Sequence, residues 1–120
     1  MIIAVDFDGT LCGFNYPGIG APHHDVIKSL KLLREYGHAL ILWTCRGGKA
    51  LEEAVNWCEE HGIFFTAINQ NLGQSIEKYG GDSKKIFADI YLDDKTPLGL
   101  SGVRAWLSEQ LEIEARKLSS

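Results

Sequence analysis

Three polar groups stand directly after apolar runs in this sequence. Asp6-Phe7-Asp8-Gly9-Thr10 follows IIAV, Thr44-Cys45-Arg46 follows LILW, and Asp93-Asp94-Lys95 follows DIYL. Lys84 and Lys85 stand just ahead of the last run. Close carboxylates repel one another unless a proton or cation sits between them, so four acids at one edge need a chemical reason. Asp6 and Asp8 are two apart, which at a strand end points both to one side and Phe7 to the other, into the core. Gly9 lets the backbone turn sharply and approach a ligand. Asp93 and Asp94 can join them around a hard cation, and an all-oxygen set with room for waters suits Mg²⁺ better than zinc. Such a cation would offset the repulsion between a carboxylate nucleophile and a phosphate dianion. Thr44 and nearby backbone N–H groups can donate to a phosphoryl oxygen, and a Lys supplies the point charge commonly used for phosphate.

These residues converge only if the elements before them lie side by side. Residues 2–7, 38–43, 63–68 and 88–92 read as short apolar strands, the third weaker than the rest. Val26, Ile27, Leu30 and Leu33 follow helical spacing, with Asp25 as a cap and Gly37 as a stop. A second helix opens at Gly47-Gly48, carries Leu51, Ala54, Val55 and Cys58 on one face, and stops at Gly62. Residues 69–83 are polar and Gly-rich and carry no assignment. Pro97, Gly99 and Gly102 mark a loop, and Val103, Trp106, Leu107 and Leu111 a last helix running to about Lys117. Strands apolar on both faces, alternating with helices, imply an α/β fold with a doubly wound parallel sheet. In such a sheet the working site lies at the carboxyl ends of the strands, where the polar groups fall.

Composition narrows the classes. The 120 residues match one ordinary domain, with no repeat, low-complexity segment or linker, so residues 1–120 are expected to form a single domain. Hydrophobic residues at 45% and charged residues at 23% argue for a globular chain rather than a disordered one. A net charge of −4 speaks against a broad nucleic-acid surface, which needs excess Lys and Arg. No apolar run approaches the ~18 residues of a membrane span, and the first residues do not resemble a signal peptide. Three Cys without a CxxC give neither a disulfide framework nor a zinc ribbon, which fits a reducing cytoplasm. Buried thiols are the default expectation for all three.

The ordered set resembles the haloacid dehalogenase-like superfamily of phosphohydrolases. Its first motif, DxDGT, is matched by Asp6, Asp8, Gly9 and Thr10; its second, an apolar strand ending in Thr, by LILWT with Thr44. The third, a Lys ahead of the last motif strand, is matched by Lys84 or Lys85, and the fourth by DIYLDD with Asp93 and Asp94. The set covers residues 1–95, and the ending DIYLDDK is also similar to the deoxyribonucleotidase branch and to small bacterial hydrolases of this type. The resemblance implies a Rossmann-like core and a Mg²⁺-dependent phosphatase acting on a phosphomonoester. Asp6 would be the nucleophile, forming an aspartyl-phosphate, and Asp8 would protonate the leaving group and then activate water. Mg²⁺ would take a carboxylate oxygen of Asp6, the backbone carbonyl of Asp8 and the Asp93/Asp94 pair, with Asp94 favoured as the direct ligand. Thr44 and Lys85 would hold the phosphoryl group, Lys85 being preferred to Lys84 on its spacing to Asp93.

Larger members carry a cap domain, for which this chain has no room, so the expectation is a capless protein with an open site. The substrate is then a phosphorylated small molecule or the phosphorylated end of something larger. Residues 12–22, residues 69–83 or a second copy of the chain would cover the site. Arg46 could reach the substrate or simply be exposed. Asn69 and Asn71 read first as loop residues, and His23-His24 as a loop pair without matching ligands. Cys12 and Cys45 lie in loops near the expected site, without a partner that would stabilise a thiolate. Trp43, Trp57 and Trp106 read as packing. Arg46-Gly47-Gly48-Lys49 lacks the spacing of a phosphate loop, and Gly18-Ile19-Gly20 that of a dinucleotide fingerprint. The alternative to an enzyme is a phosphoacceptor or regulatory module with a receiver-like fold. Receivers place the phosphorylated Asp after the third strand, where this chain has none.

Overall fold

The computed structural model describes residues 1–119. The chain runs β1 (Ile2–Val5), α1 (His24–Glu35), β2 (Ala39–Leu42), α2 (Gly48–Glu60), β3 (Ala67–Ile68), α3 (Gly73–Tyr79), β4 (Ile90–Leu92) and α4 (Gly99–Ser119). The strands form one sheet in the order β3-β2-β1-β4, with every pair parallel. Val5 is in register with Leu42 of β2 and Leu92 of β4, so the polar groups that follow these three strands emerge side by side.

Alternation along β1 divides the core between the two faces of the sheet. Ile3 and Val5, with Leu40, Leu42 and Leu92, pack against Leu30 and Leu33 of α1, Ala54 and Cys58 of α2 and Val103 and Leu107 of α4. Ile2 and Ala4, with Ile41 and Ala67, meet Leu72, Ile86 and Ala88, below α3. Both faces are covered, giving a doubly wound, Rossmann-like α/β fold without a cap. The first face is the heavier one. Each fully buried Leu or Ile there contributes roughly 1.5–3 kcal/mol through burial. Among the described residues no helix is long and apolar enough to cross a membrane.

The order β3-β2-β1-β4 contains a switch. The chain steps outward from β1 to β3, then crosses the other face through α3 and returns beside β1 as β4. Ligands of open α/β sheets bind in the crevice at such a point, outside the carboxyl ends of the strands. Here that crevice lies between the ends of β1 and β4.

Several elements differ from their expectation. β3 is two residues long rather than six, because it has one neighbouring strand and Ile63 is held back by the end of α2, its N–H donating to the Cys58 carbonyl at 2.9 Å. Residues 69–83 contain α3, whose apolar signal is too short to register. α4 begins at Gly99 and runs through Gly102, where a Cβ would stand 2.6 Å from that of Leu98. Asp25 lies inside the first turn of α1 instead of capping it, and pairs with Arg104 of α4 at 2.6 Å.

Candidate functional site

The site begins with a turn that only glycine permits. Gly9 has φ +91°, and a Cβ there would lie 2.2 Å from Oδ2 of Asp94. Removing the side chain lets the Asp94 carboxylate close onto the β1 turn. Thr10, fully buried, then joins the two strand ends. Its hydroxyl lies 3.3 Å from Asp6 Oδ2 and 3.2 Å from Asp94 Oδ1, so its one proton is shared between them. The same oxygen accepts the Asp94 N–H at 3.0 Å. The sequence reading quoted Thr10 within its motif and gave it no task; its place, two residues after Asp8, was the available signal.

Asp6, Asp93 and Asp94 each offer a carboxylate oxygen within 4.8 Å of the other two. Among the described residues none of the three forms an ion pair with Lys, Arg or His. Burial, reinforced by the charge of Asp93 and by the hydrogen bond and charge of Asp94, pushes the Asp6 carboxyl up to about 7 from an ordinary 3.8. Such a cluster can be relieved by a proton or by a cation. The donors are all hard oxygens on adjacent strand ends, so the set fits Mg²⁺.

Asp8 faces elsewhere. Both its oxygens accept from Arg46, Oδ2 from Nε at 2.9 Å and Oδ1 from Nη2 at 2.8 Å. The Arg46 side chain is 1% exposed, and its guanidinium lies 5.0 Å from the Phe7 ring centroid and 5.1 Å from that of Tyr16. Its remaining donors go to the carbonyls of Pro17, Gly18 and Ala50. Hydrogen bonding to Asp8 raises the Arg46 pKa further above its ordinary value. With every side-chain nitrogen engaged inside the protein, Arg46 is not available to a phosphate, which corrects that assignment. It fixes Asp8 and anchors the loop of residues 12–22.

Thr44 is braced from β3. Its N–H donates to Asn69 Oδ1 at 2.8 Å, and its hydroxyl accepts the Arg46 N–H at 3.1 Å, which leaves the hydroxyl proton for donation. Asn69 reaches this position with φ +53°, a conformation Asn tolerates better than most residues. Asn71, by contrast, ties down residues 82–87 and has no part in the site.

A cavity of about 350 Å³ is lined by Asp6, Asp8, Thr44, Arg46 and Asp93, with Phe14, Tyr16, Cys45 and Lys95 completing it. Lys85, expected here, lines a separate cavity of about 460 Å³ over α3 that contains no acid. Its ammonium lies 5.5 Å from the Tyr91 ring centroid. Lys84 lines neither cavity. The lysine at this cavity is Lys95, which follows the acids of β4 directly, whereas the motif order expects a lysine ahead of that strand.

The loop of residues 12–22 carries Phe14 and Tyr16 to the cavity, whereas residues 69–83 do not reach it. Cys45 is exposed in the cavity wall, unlike Cys12 and Cys58. Burial raises both buried thiols, Cys58 up to about 12. His23 holds the Thr10 carbonyl through Nδ1 at 2.9 Å. Trp57 meets Phe7 edge to face at 5.4 Å, and Trp43 and Trp106 pack against the two core clusters.

Neither protein-family models nor curated proteins give a match to the chain. Among solved structures it is similar to a conserved protein from Bacteroides thetaiotaomicron, at 38% identity and a TM-score of 0.78. The match covers 92% of this chain and 91% of that one. At that identity over nearly the whole of both, the chain belongs to the same family as that conserved protein.

Proposed function

We propose that the protein is a Mg²⁺-dependent phosphatase of the haloacid dehalogenase-like type, hydrolysing a phosphomonoester through an aspartyl-phosphate on Asp6. The observation that carries this reading is the cluster at the switch point. Three carboxylates lie within 4.8 Å with no basic side chain between them, beside a cavity open to a ligand. A structural role would call for a matched charge; a bound cation would supply it. Asp6, Asp93 and Asp94 would hold Mg²⁺, which when bound neutralises phosphate charge and lets an anionic nucleophile approach an anionic ester.

The chain's own residues divide the remaining work. An Asp6 carboxylate oxygen attacks phosphorus, and the bond to the ester oxygen breaks. Thr10 holds Asp6 and Asp94 in place. Thr44 donates its hydroxyl proton to a phosphoryl oxygen, and Lys95 replaces Lys85 as the point charge. Asp8, held by Arg46, is placed to take a proton from the water that hydrolyses the phosphoenzyme. Donating a proton to the departing alkoxide requires Asp8 to give up part of its pairing with Arg46.

The test is phosphate release from a panel of phosphomonoesters, with Mg²⁺ and then with excess chelator. Release that needs Mg²⁺ and is lost in Asp6→Asn is expected. Undiminished turnover in chelator would sink the metal assignment, and label trapped on Asp93 or Asp94 would sink the nucleophile.

A further inference from the structure

Two aromatic rings, Phe14 and Tyr16, line the same cavity as the acids Asp6 and Asp8. Phe14 is 65% exposed and Tyr16 54%. Neither ring is loose. The loop that carries them is closed at its base, where the Gly13 N–H donates to the Ala21 carbonyl at 2.8 Å. At that crossing a Cβ on Gly20 would stand 2.1 Å from the Gly13 carbonyl oxygen, so the two backbones touch. Near its tip, Arg46 holds the Pro17 and Gly18 carbonyls at 3.1 and 2.6 Å. The loop is thus stapled at both ends, with its rings over the site.

The rings are also paired with charge. The Lys95 ammonium lies 5.2 Å from the Phe14 centroid, and Arg46 lies against Tyr16. Aromatic faces attract cations and stack on other flat rings, and offer little to the hydroxyls of a sugar or a polyol. Apart from the acids and Thr44, which the chemistry uses, the lining is two aromatic rings, a thiol, an ammonium and the Arg46 guanidinium, whose donors are engaged within the protein. We infer that the substrate carries a planar ring near its phosphate ester, and that this ring lies against Phe14 and Tyr16. The inference rests on the phosphatase reading and deepens it. It makes Phe14 and Tyr16 the residues that set specificity, and it assigns to a loop the selection that a cap would otherwise perform.

The experiment compares esters matched in leaving-group chemistry. Benzyl phosphate is set against cyclohexylmethyl phosphate, and adenosine 5′-monophosphate against ribose 5-phosphate, by phosphate release with Mg²⁺. A stacked ring contributes about tenfold or more. The expected result is a kcat/KM preference of that size for the flat member of at least one pair. It should fall towards unity in Phe14→Leu or Tyr16→Leu, mainly through KM, while the saturated partner is unaffected. A preference in the benzyl pair alone places the ring next to the ester oxygen; in the nucleotide pair alone, a sugar away.

Both replaced side chains are exposed, and unchanged thermal melts establish that the variants fold. Equal kcat/KM within both pairs, or preferences that survive both substitutions, would overturn the inference and leave the phosphatase reading standing. If no ester is hydrolysed, the phosphatase reading falls. Calorimetric binding of the same four compounds to the wild-type protein with Mg²⁺ then decides the inference: binding selective for the flat members and weakened by Phe14→Leu keeps it, and no such selectivity overturns it.

Discussion

The two ends of the sheet treat their acids in opposite ways. At the amino ends of the strands Asp89 and Glu114 each have a donor. Asp89 accepts the Ile2 N–H at 2.7 Å, and Glu114 lies 2.8 Å from His38 Nε2 and 3.6 Å from Lys117 Nζ. At the carboxyl ends Asp6 and Asp94 share one threonine hydroxyl, and Asp93 accepts the Lys95 N–H at 2.9 Å, with all three carboxylates within 4.8 Å of one another. Hydrogen bonding by His38 holds Glu114 below its ordinary 4.5, while burial drives Asp6 up to about 7. The same residue chemistry is satisfied at one end and left in conflict at the other. Conflict maintained by a buried threonine and a glycine that cannot be replaced marks the end that does work.

Breaking the comparison at its centre has the largest effect. Asp6→Asn removes the proposed nucleophile and one of the three crowded charges together. Phosphate release should fall to background, while the melting temperature of the metal-free protein above pH 7 should rise. A variant that lost both activity and stability would show that Asp6 serves the fold rather than the reaction.

Asp8 comes next, because its charge is matched where its neighbours' charges are not. General acid–base groups contribute about 10²- to 10⁴-fold. With p-nitrophenyl phosphate, whose leaving group needs little protonation, Asp8→Asn should form phosphoenzyme and hydrolyse it slowly. Rapid mixing should give a burst of nitrophenolate near one equivalent per site, then slow turnover. Wild-type steady-state rates in Asp8→Asn would remove it from the mechanism.

The lysines sharpen the contrast on a smaller scale. Lys95→Met should reduce kcat/KM by about tenfold to a hundredfold, through loss of a charge that assists the transferring phosphoryl group. Lys85→Met, in the cavity over α3, should change it by less than about twofold, in keeping with substitutions away from the chemistry. The reverse ranking would restore the lysine ahead of β4.

How much of this was legible in the sequence follows from the range of the forces involved. Strands β1, β2 and β4 could be read because their residues are apolar on both faces, and the acids after them because strand ends share an edge. The brevity of β3 could not be read, since it depends on having a single neighbour. Nor could α3, whose seven residues owe their helix to the face they cover. At the site, Asp6, Thr44, Asp93 and Asp94 stand at the strand ends where their spacing placed them, whereas the Asp8 carboxylate lines the same cavity but turns to Arg46 instead of joining the cluster. Arg46 did not reveal its task, because partners for a guanidinium come from segments far along the chain: Asp8 and the carbonyls of residues 17 and 18. Lys85 was preferred on motif order, whereas position is decided by which way a loop leaves a helix, and Lys95 gained the place that Lys85 was expected to hold. Phe14 and Tyr16 carry no signal of their own in the sequence, because their place at the cavity depends on the distant contacts that hold residues 12–22.

The smallest effect, and the one that tests the comparison most directly, is on the shape of stability against pH. A carboxyl raised in the folded state keeps its proton where the unfolded chain has lost it. Its contribution to stability is therefore full below an ordinary 3.8 and is lost as pH rises through about 7; this is Asp6. A carboxyl lowered in the folded state contributes fully above an ordinary 4.5 and loses that contribution as pH falls through its folded value; this is Glu114. Metal-free melting curves from pH 3 to pH 8 should thus separate from the wild type in opposite directions as the pH rises. Asp6→Asn should be the more stable at pH 8 and converge with the wild type in acid. Glu114→Gln should be slightly less stable at pH 7, converge as the pH falls through the lowered folded value of Glu114, and leave turnover unchanged. Added Mg²⁺ should raise the wild-type melting temperature more at pH 8 than at pH 5, because at the lower pH it competes with a proton for Asp6. Curves that part from the wild type in the same direction would mean that the two ends of the sheet hold their acids by the same physics, and the contrast between them would be lost.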